Sequence, residues 1–254
     1  MVELKALYAG YDKKEILHGI TMAFEPGKVT VIVGPNGCGK STLLKTVIGI
    51  NKKTSGDILV DKVAAESLSA RQMAQKIAYL PQNRAVPDIT VLRMVLHGRF
   101  AYLDYPRRYR EQDIDAAKKA LRWVGLEEYQ NQNMASLSGG MQQNAYIAMA
   151  LAQDTPTVLM DEPTAYLDIS NRIQTMQLAK RLADEGKAVV MVLHDLDMAM
   201  SYADNIAVMS DGKIIKCGTA EEVFESGAID NAFNIRLCRI KSDEKWIYHC
   251  QSGC

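Results

Sequence analysis

No charge of one sign dominates this chain: its 254 residues hold thirty Lys and Arg against thirty Asp and Glu. A zero formal balance excludes the whole-surface attraction that draws basic proteins to nucleic acid. Cysteine is scarce, and its five copies (Cys38, Cys217, Cys238, Cys250 and Cys254) are odd in number and scattered. That set argues against a disulfide framework and for reduced thiols in a cytoplasm. Long apolar runs are missing too. The longest, Ala145 to Ala152, is far too short to cross a bilayer, and Met1-Val2-Glu3-Leu4-Lys5 carries no signal-peptide pattern. Any membrane role is therefore expected to be peripheral. His249, Cys250 and Cys254 lack the ligand number and spacing of a metal site and read as an incidental tail. What is present, 48% apolar residues, suffices for a full core, and the length suits one α/β domain over 1–254 with an inserted subdomain.

The most informative stretch is Gly34-Pro35-Asn36-Gly37-Cys38-Gly39-Lys40-Ser41-Thr42, which fits the phosphate-binding pattern G-x-x-x-x-G-K-[ST] at every required position. Thr30-Val31-Ile32-Val33 runs into it as a buried parallel strand, while Leu43, Leu44, Val47 and Ile48 follow at helical spacing before a Gly49 cap. A glycine loop between strand and helix lets backbone N–H groups curl around a phosphate chain, and the helix N-terminus adds positive charge. In such a loop Lys40 reaches the terminal phosphates and the Ser41 hydroxyl ligates magnesium.

Upstream, apolar segments at Val2 to Tyr8 and Ile16 to Phe24 predict antiparallel strands that lead through Glu25-Pro26-Gly27-Lys28 to the loop strand. Tyr11, ahead of the second strand, is either ordinary packing or a platform for a nucleotide base. Lys52-Lys53-Thr54-Ser55-Gly56-Asp57 reads as a turn before the strand Ile58-Leu59-Val60. Another strand, Ile77 to Leu80, ends at Pro81-Gln82. Gln82 is then a ligand contact at a strand's C-terminal end or a solvated loop residue. From about 83 to 154 the pattern is helical, with Ile114, Ala117, Leu121 and Val124 on one face and Gly125 as its stop. The basic run Pro106-Arg107-Arg108-Tyr109-Arg110, flanked by Tyr102 and Tyr105, reads as a solvated loop rather than an RNA or lipid site.

Leu137-Ser138-Gly139-Gly140 opens a helix through Gln153, either as a second anion site or as a simple cap and turn. Thr157-Val158-Leu159-Met160 is a buried-strand run that delivers Asp161 and Glu162 to its C-terminal end. Asp161 is placed to hold magnesium, and Glu162, one residue on, to polarise an attacking water as general base. Ala165-Tyr166-Leu167-Asp168 then opens a helix with Ile173, Met176, Ala179 and Ala183 on its apolar face, closing at Gly186. The strand Val189 to Leu193 ends in His194, whose ring suits a γ-phosphate. Ile206 to Cys217 reads as a hairpin around Asp211-Gly212.

Taken in order, Tyr11, Gly34 to Thr42, Gln82, Leu137 to Gly140, Val158 to Glu162, Leu167-Asp168 and His194 resemble the ATP-binding cassette family of transport ATPases across nearly the whole chain. The phosphate loop and Val95-Leu96-His97-Gly98-Arg99 are most similar to cassettes that power uptake of ferric siderophores, haem or cobalamin. The resemblance implies a phosphate-loop (RecA-like) α/β core sheet with an N-terminal antiparallel β subdomain and an inserted α-helical subdomain. It implies ATP and Mg2+ as cofactors and a homodimer closed head to tail around two ATP molecules. Each nucleotide then lies between one copy's loop and the other copy's Ser138-Gly139-Gly140. Tyr11 is implied to stack on adenine, Gln82 to sense magnesium and the attacking water, Asp168 to work across the dimer contact, and His194 to hold the γ-phosphate. The implied partners are integral membrane permease subunits, met by the helical insert, and a separate substrate-binding protein. The implied place is the cytoplasmic face of the membrane.

Three positions depart from the family pattern: Met141 replaces a usual glutamine or glutamate, Asn144 a common arginine, and Ala101 a proline frequent in the siderophore-type insert. Neither Met141 nor Asn144 removes the Ser138 hydroxyl or the backbone donors, so altered rates rather than lost activity are expected, while Ala101 counts against the siderophore-type substrate assignment. Cys38 inside the loop predicts that a thiol reagent blocks ATP binding and that nucleotide protects. A soluble cassette ATPase of DNA repair or translation is the alternative, disfavoured because no long heptad run or tandem cassette is present. A GTPase is disfavoured because a base-reading Asn-Lys-x-Asp is missing.

Overall fold

The computed structural model describes residues 1–11, 14–82, 85–165, 167–242 and 245–252. Tyr166 and Cys254, named above, lie outside the described residues. In chain order the first half contains β1 (Val2–Tyr11), β2 (Lys14–Phe24), β3 (Val29–Val33), α1 (Lys40–Val47), β4 (Lys53–Val60), β5 (Val63–Ala64), α2 (Ala70–Ala74), β6 (Ile77–Leu80), α3 (Val91–Leu96) and α4 (Glu111–Trp123). The second half continues with α5 (Gly139–Ala152), β7 (Thr157–Asp161), α6 (Ile169–Asp184), β8 (Ala188–Val192), α7 (Leu196–Tyr202), β9 (Asn205–Ser210), β10 (Lys213–Gly218), α8 (Ala220–Glu225), α9 (Ala228–Phe233), β11 (Ile235–Ser242) and β12 (Lys245–Ser252).

Six strands form the main sheet in the order β10-β9-β3-β8-β7-β6, parallel throughout except for the edge strand β10. Strands β3, β7 and β8 are buried at every position, as their largely apolar sequences require of strands covered on both faces. Alternation divides their side chains between two cores. Val29, Val31 and Val33 join the larger one, built with α3 to α7, while Ile32 joins the smaller one with Leu43, Leu44 and Val47 of α1. The other wall of the smaller core is the antiparallel sheet β2-β1-β4-β5.

Two sequence expectations need correction. Residues 53–57 are not a turn but the first part of β4. Their glycine and polar side chains mimic turn chemistry, yet they form a bulged strand whose register against β1 slips between Lys5 and Tyr8. Ala6 has φ 44° and Gly56 φ 82°, and a Cβ on Gly56 would lie 2.1 Å from the Ala6 carbonyl oxygen. The stretch around His249 and Cys250 is not an incidental tail either. It belongs to the β11–β12 hairpin, seated by buried Leu237 and Tyr248 and by Arg239, whose guanidinium lies over the rings of Phe224 and Trp246. Among the described residues no group of three or more His, Cys, Asp or Glu is placed to hold a metal ion.

The helical stretch is tied together by a buried ion pair. Arg99 Nε donates to Asp113 at 3.0 Å and Nη1 donates to the Ala152 carbonyl at 3.0 Å, so one guanidinium joins the ends of α4 and α5. Gly98 beside it leaves no room for a Cβ, which would sit 2.1 Å from the Met149 carbonyl oxygen. His97-Gly98-Arg99 thus has a packing reason of its own. The basic run at 106–110 is largely exposed. Arg110 pairs with Asp104 and Arg107 lies over Phe100. No helix among the described residues is long and apolar enough to cross a membrane.

Candidate nucleotide-binding site

Strand β3 ends in the glycine loop, and the loop's shape depends on residues that lack a Cβ. A side chain at Gly34 would lie 2.2 Å from the Met209 carbonyl oxygen, and Gly39 takes φ 107° at the N-cap of α1. The loop wraps around the Lys40 side chain. Its Nζ donates to the carbonyls of Gly34 at 2.7 Å and Pro35 at 3.0 Å, and the residue is only 6% exposed. No carboxylate pairs with this ammonium among the described residues. A third, long contact runs from Nζ to Cys38 Sγ at 4.0 Å, and a buried cation with only such neutral partners, at the start of a helix, favours an anionic ligand.

The neighbouring parallel strands bring their carboxyl ends to the same sheet edge. Asp161 closes β7 and is 1% exposed; Ser41 Oγ donates to its Oδ1 at 3.0 Å and Tyr79 OH to its Oδ2 at 3.3 Å. Burial lifts the Asp161 carboxyl above its ordinary range; the adjacent Glu162 charge adds to the lift, while donation from Ser41 and Tyr79 opposes it. Ser41 and Asp161 together are hard oxygen donors, the chemistry a small divalent cation takes.

Glu162 follows in the left-handed region, φ 51°, an uncommon conformation for a side-chain-bearing residue. Its N–H donates to the Val192 carbonyl at 3.1 Å, which locks it to the end of β8. Its carboxylate is gripped from two sides. Gln82 Nε2, just past β6, donates to Oε2 at 2.5 Å, and His194 Nε2, just past β8, lies 2.6 Å from Oε1. Three residues separated widely in sequence thus meet in one hydrogen-bonded group, with the imidazole half exposed and the carboxylate largely covered.

Other predicted site residues stand apart from this group in the single chain. Tyr11 is 44% exposed at the end of β1, and its hydroxyl accepts from Asn51 Nδ2 at 2.8 Å. Ser138 caps α5, its Oγ accepting from Met141 N–H at 3.4 Å. Asp168 caps α6, accepting from Asn171 N–H at 2.8 Å and Asn171 Nδ2 at 3.0 Å. Asn171 also packs close to the start of α5, since a Cβ on Gly140 would come within 3.1 Å of its Nδ2. Gln143 Nε2 further ties α5 to the Pro163 carbonyl at 2.5 Å.

The Cys38 expectation is corrected. Its side chain packs into the smaller core at 6% exposure, and burial pushes the thiol up despite the opposing charge of Lys40. A buried thiol held in its protonated form is poorly placed for the fast alkylation expected from the sequence. Of the departures, Asn144 Nδ2 reaches the Val124 carbonyl at 3.5 Å, and the Ala101 carbonyl accepts from Arg71 Nε and Gln75 Nε2, each at 2.9 Å. Position 101 thus contributes its backbone. Tyr79 was missed from sequence; its one signal was its phase in β6, in step with the smaller core.

The comparisons agree with this geometry. The ABC transporter family model matches residues 17–165. FpuD of Bacillus anthracis, a petrobactin import ATP-binding protein, is 39% identical over 244 residues, covering 95% of this chain and 89% of that one. FepC of Escherichia coli (strain K12), a ferric enterobactin transport ATP-binding protein, is 36% identical over 239 residues, covering 93% of this chain and 88% of that one. A dimeric ATP-binding cassette in a post-hydrolysis state, bound to ADP and Pi, matches with a TM-score of 0.75 at 30% identity, covering 87% of this chain and 99% of that one. On the strength of its glycine loop, its strand-end carboxylates and this likeness, the chain belongs to the ABC transporter family and is one of its ATP-binding, ATP-hydrolysing subunits.

Proposed function

We propose that this chain powers an importer of ferric siderophore, haem or cobalamin, as the peripheral ATPase on the cytoplasmic face of the membrane. Relatives named for petrobactin import and ferric enterobactin transport support that reading over a soluble cassette of DNA repair or translation. The observation that carries the mechanism is the Glu162 carboxylate held between Gln82 and His194 at 2.5 and 2.6 Å.

In this reading Gly34 to Thr42 cradle the triphosphate, and Lys40 exchanges its two carbonyl partners for phosphate oxygens. Glu162 takes the proton of the attacking water, with its orientation pre-set by Gln82 and His194 in the ligand-free chain. With nucleotide bound, His194 turns its N–H from Glu162 to the γ-phosphate, and Tyr11 stacks on adenine. Ser41, Gln82 and Asp161 would hold Mg2+, which when bound would neutralise phosphate charge. Ser138, Gly139 and Gly140 of one copy meet the nucleotide of the other, with Asp168 across the same contact, so two copies close head to tail.

The helical stretch of about 83–154 serves as a subdomain inserted in a single domain spanning 1–254. A groove of about 460 Å³ beside it, lined by Arg71, His97, Phe100, Leu103 and Arg107, is the docking place of a permease helix. Cargo recognition then belongs to the permease and a separate substrate-binding protein. The test is uptake of radiolabelled ferric siderophore, haem and cobalamin in the source cell after deletion of the coding sequence. Uptake of one of them should fall and return with the wild type but not with Glu162→Gln; unchanged uptake of all three after deletion overturns the cargo reading.

A further inference from the structure

The Asp161 carboxylate has two side-chain donors, and only one of them belongs to the machinery described so far. Ser41 donates to Oδ1 at 3.0 Å and Tyr79 to Oδ2 at 3.3 Å. Strand geometry explains how the second donor arrives. In the parallel pair β6–β7, Tyr79 is the register partner of Leu159, and Asp161 lies two residues further along β7. Two residues on is the same face of the sheet, as the burial of Ile77 and Leu159 in the smaller core also shows. A tyrosine ring lying diagonally along that face is long enough to carry its hydroxyl to the carboxylate. Half-buried phenols need a partner for the hydroxyl, and here the partner is the acid that closes β7.

We propose that Tyr79 is a positioning residue for the cation site: it fixes the plane of the Asp161 carboxylate so that one oxygen stays turned towards Ser41. The inference rests on the reading of Asp161 and Ser41 as cation ligands. The two donors are not equivalent. Ser41 is itself a ligand in that reading, so its hydroxyl serves the cation as well as the carboxylate. Tyr79 approaches from the strand side, on the other carboxylate oxygen, and keeps that acid oriented whatever Ser41 does. A donor that orients a metal-ligating carboxylate from outside the coordination shell typically tunes metal affinity by roughly 10-fold or more.

The test is binding of a fluorescent ATP analogue, titrated with Mg2+ and repeated in EDTA, for wild type, Tyr79→Phe, Asp161→Asn and the double variant. The Phe variant keeps the ring and loses only the hydroxyl. It should raise the Mg2+ concentration for half-maximal binding by roughly 10-fold, leave binding in EDTA unchanged, and add nothing further in the Asp161→Asn background. An equal loss with and without Mg2+ makes Tyr79 merely structural and overturns the proposal. So does an unshifted Mg2+ titration, or a full additional loss in the double variant. If Asp161→Asn itself leaves the Mg2+ titration unmoved, the cation reading fails instead, which separates the two.

Discussion

At the C-terminal ends of β6, β7 and β8 the polar side chains hold one another across the fold; at the N-termini of α5 and α6 they hold mainly their own helices. Gln82, Glu162 and His194 meet within 2.6 Å, and Ser41 reaches Asp161 at 3.0 Å. Ser138 and Asp168 instead accept from N–H groups three residues on. The first region is a connected group of side chains, which in the proposed reading is one half of the site, oriented before a ligand arrives. The second is a pair of capped helix ends packed close together at Gly140 and Asn171, with no side-chain bond to the loop among the described residues. A nucleotide site completed by a second copy needs this division: one half rigid within the chain, the other free to meet a partner.

The comparison is broken most severely at Lys40. Lys40→Ala removes the one buried cation of the loop, and ATP affinity should fall roughly 100-fold, the worth of one or two charge-assisted bonds. Fluorescent-nucleotide titration of dilute protein measures this, and an affinity within about twofold of wild type would refute the loop assignment. Ser138→Ala should separate the halves. In the same titration it should stay within about twofold, while turnover at high protein concentration drops roughly 10-fold. Its folding cost is that of a lost cap, about 1 kcal/mol, so chemical denaturation shows whether instability alone explains the drop.

Asp168→Asn is subtler, because Asn caps a helix about as well as Asp. Denaturation midpoints should coincide with wild type while turnover falls a few-fold; an unchanged turnover would reduce Asp168 to a cap. The smallest effect concerns the scaffold of the loop half. Asp204 accepts from Val29 N–H at 2.8 Å and from Lys180 Nζ at 2.5 Å, pinning β9 to β3 and α6. Burial pushes its carboxyl up, but the Lys180 and Val29 bonds outweigh burial and hold it below the ordinary range. With the folded value depressed, its stabilisation is present above the unfolded value and lost as pH falls through the folded one. Unfolding free energies from urea titrations of Asp204→Asn and wild type should therefore differ near neutrality, by about 1 kcal/mol, and converge in acid.

Much of this was legible because backbone constraints write themselves into residue type. Gly34 and Gly39 announce a loop that no Cβ permits, and Thr157 to Asp161 announces a buried strand ending in an acid. The bulge at Gly56 was misread because a strand exposed on one face uses the same small and polar residues as a turn. The β11–β12 hairpin went unread because its anchors, Leu237, Tyr248 and Arg239, find their partners on other elements. Tyr79 and Arg99 were opaque for the same reason: their meaning lies in Asp161 and Asp113, which only folding brings near. Cys38 shows the opposite limit, since a loop position in sequence says nothing about which way its side chain turns.

The central claim is that Glu162, gripped by Gln82 and His194, is the base of a site that two copies close. Glu162→Gln tests it by size-exclusion chromatography with and without ATP, alongside an ATPase assay. The account predicts retained ATP binding, a stable ATP-dependent dimer and turnover lowered by roughly a thousandfold. A monomer that still hydrolyses ATP at the wild-type rate would contradict it.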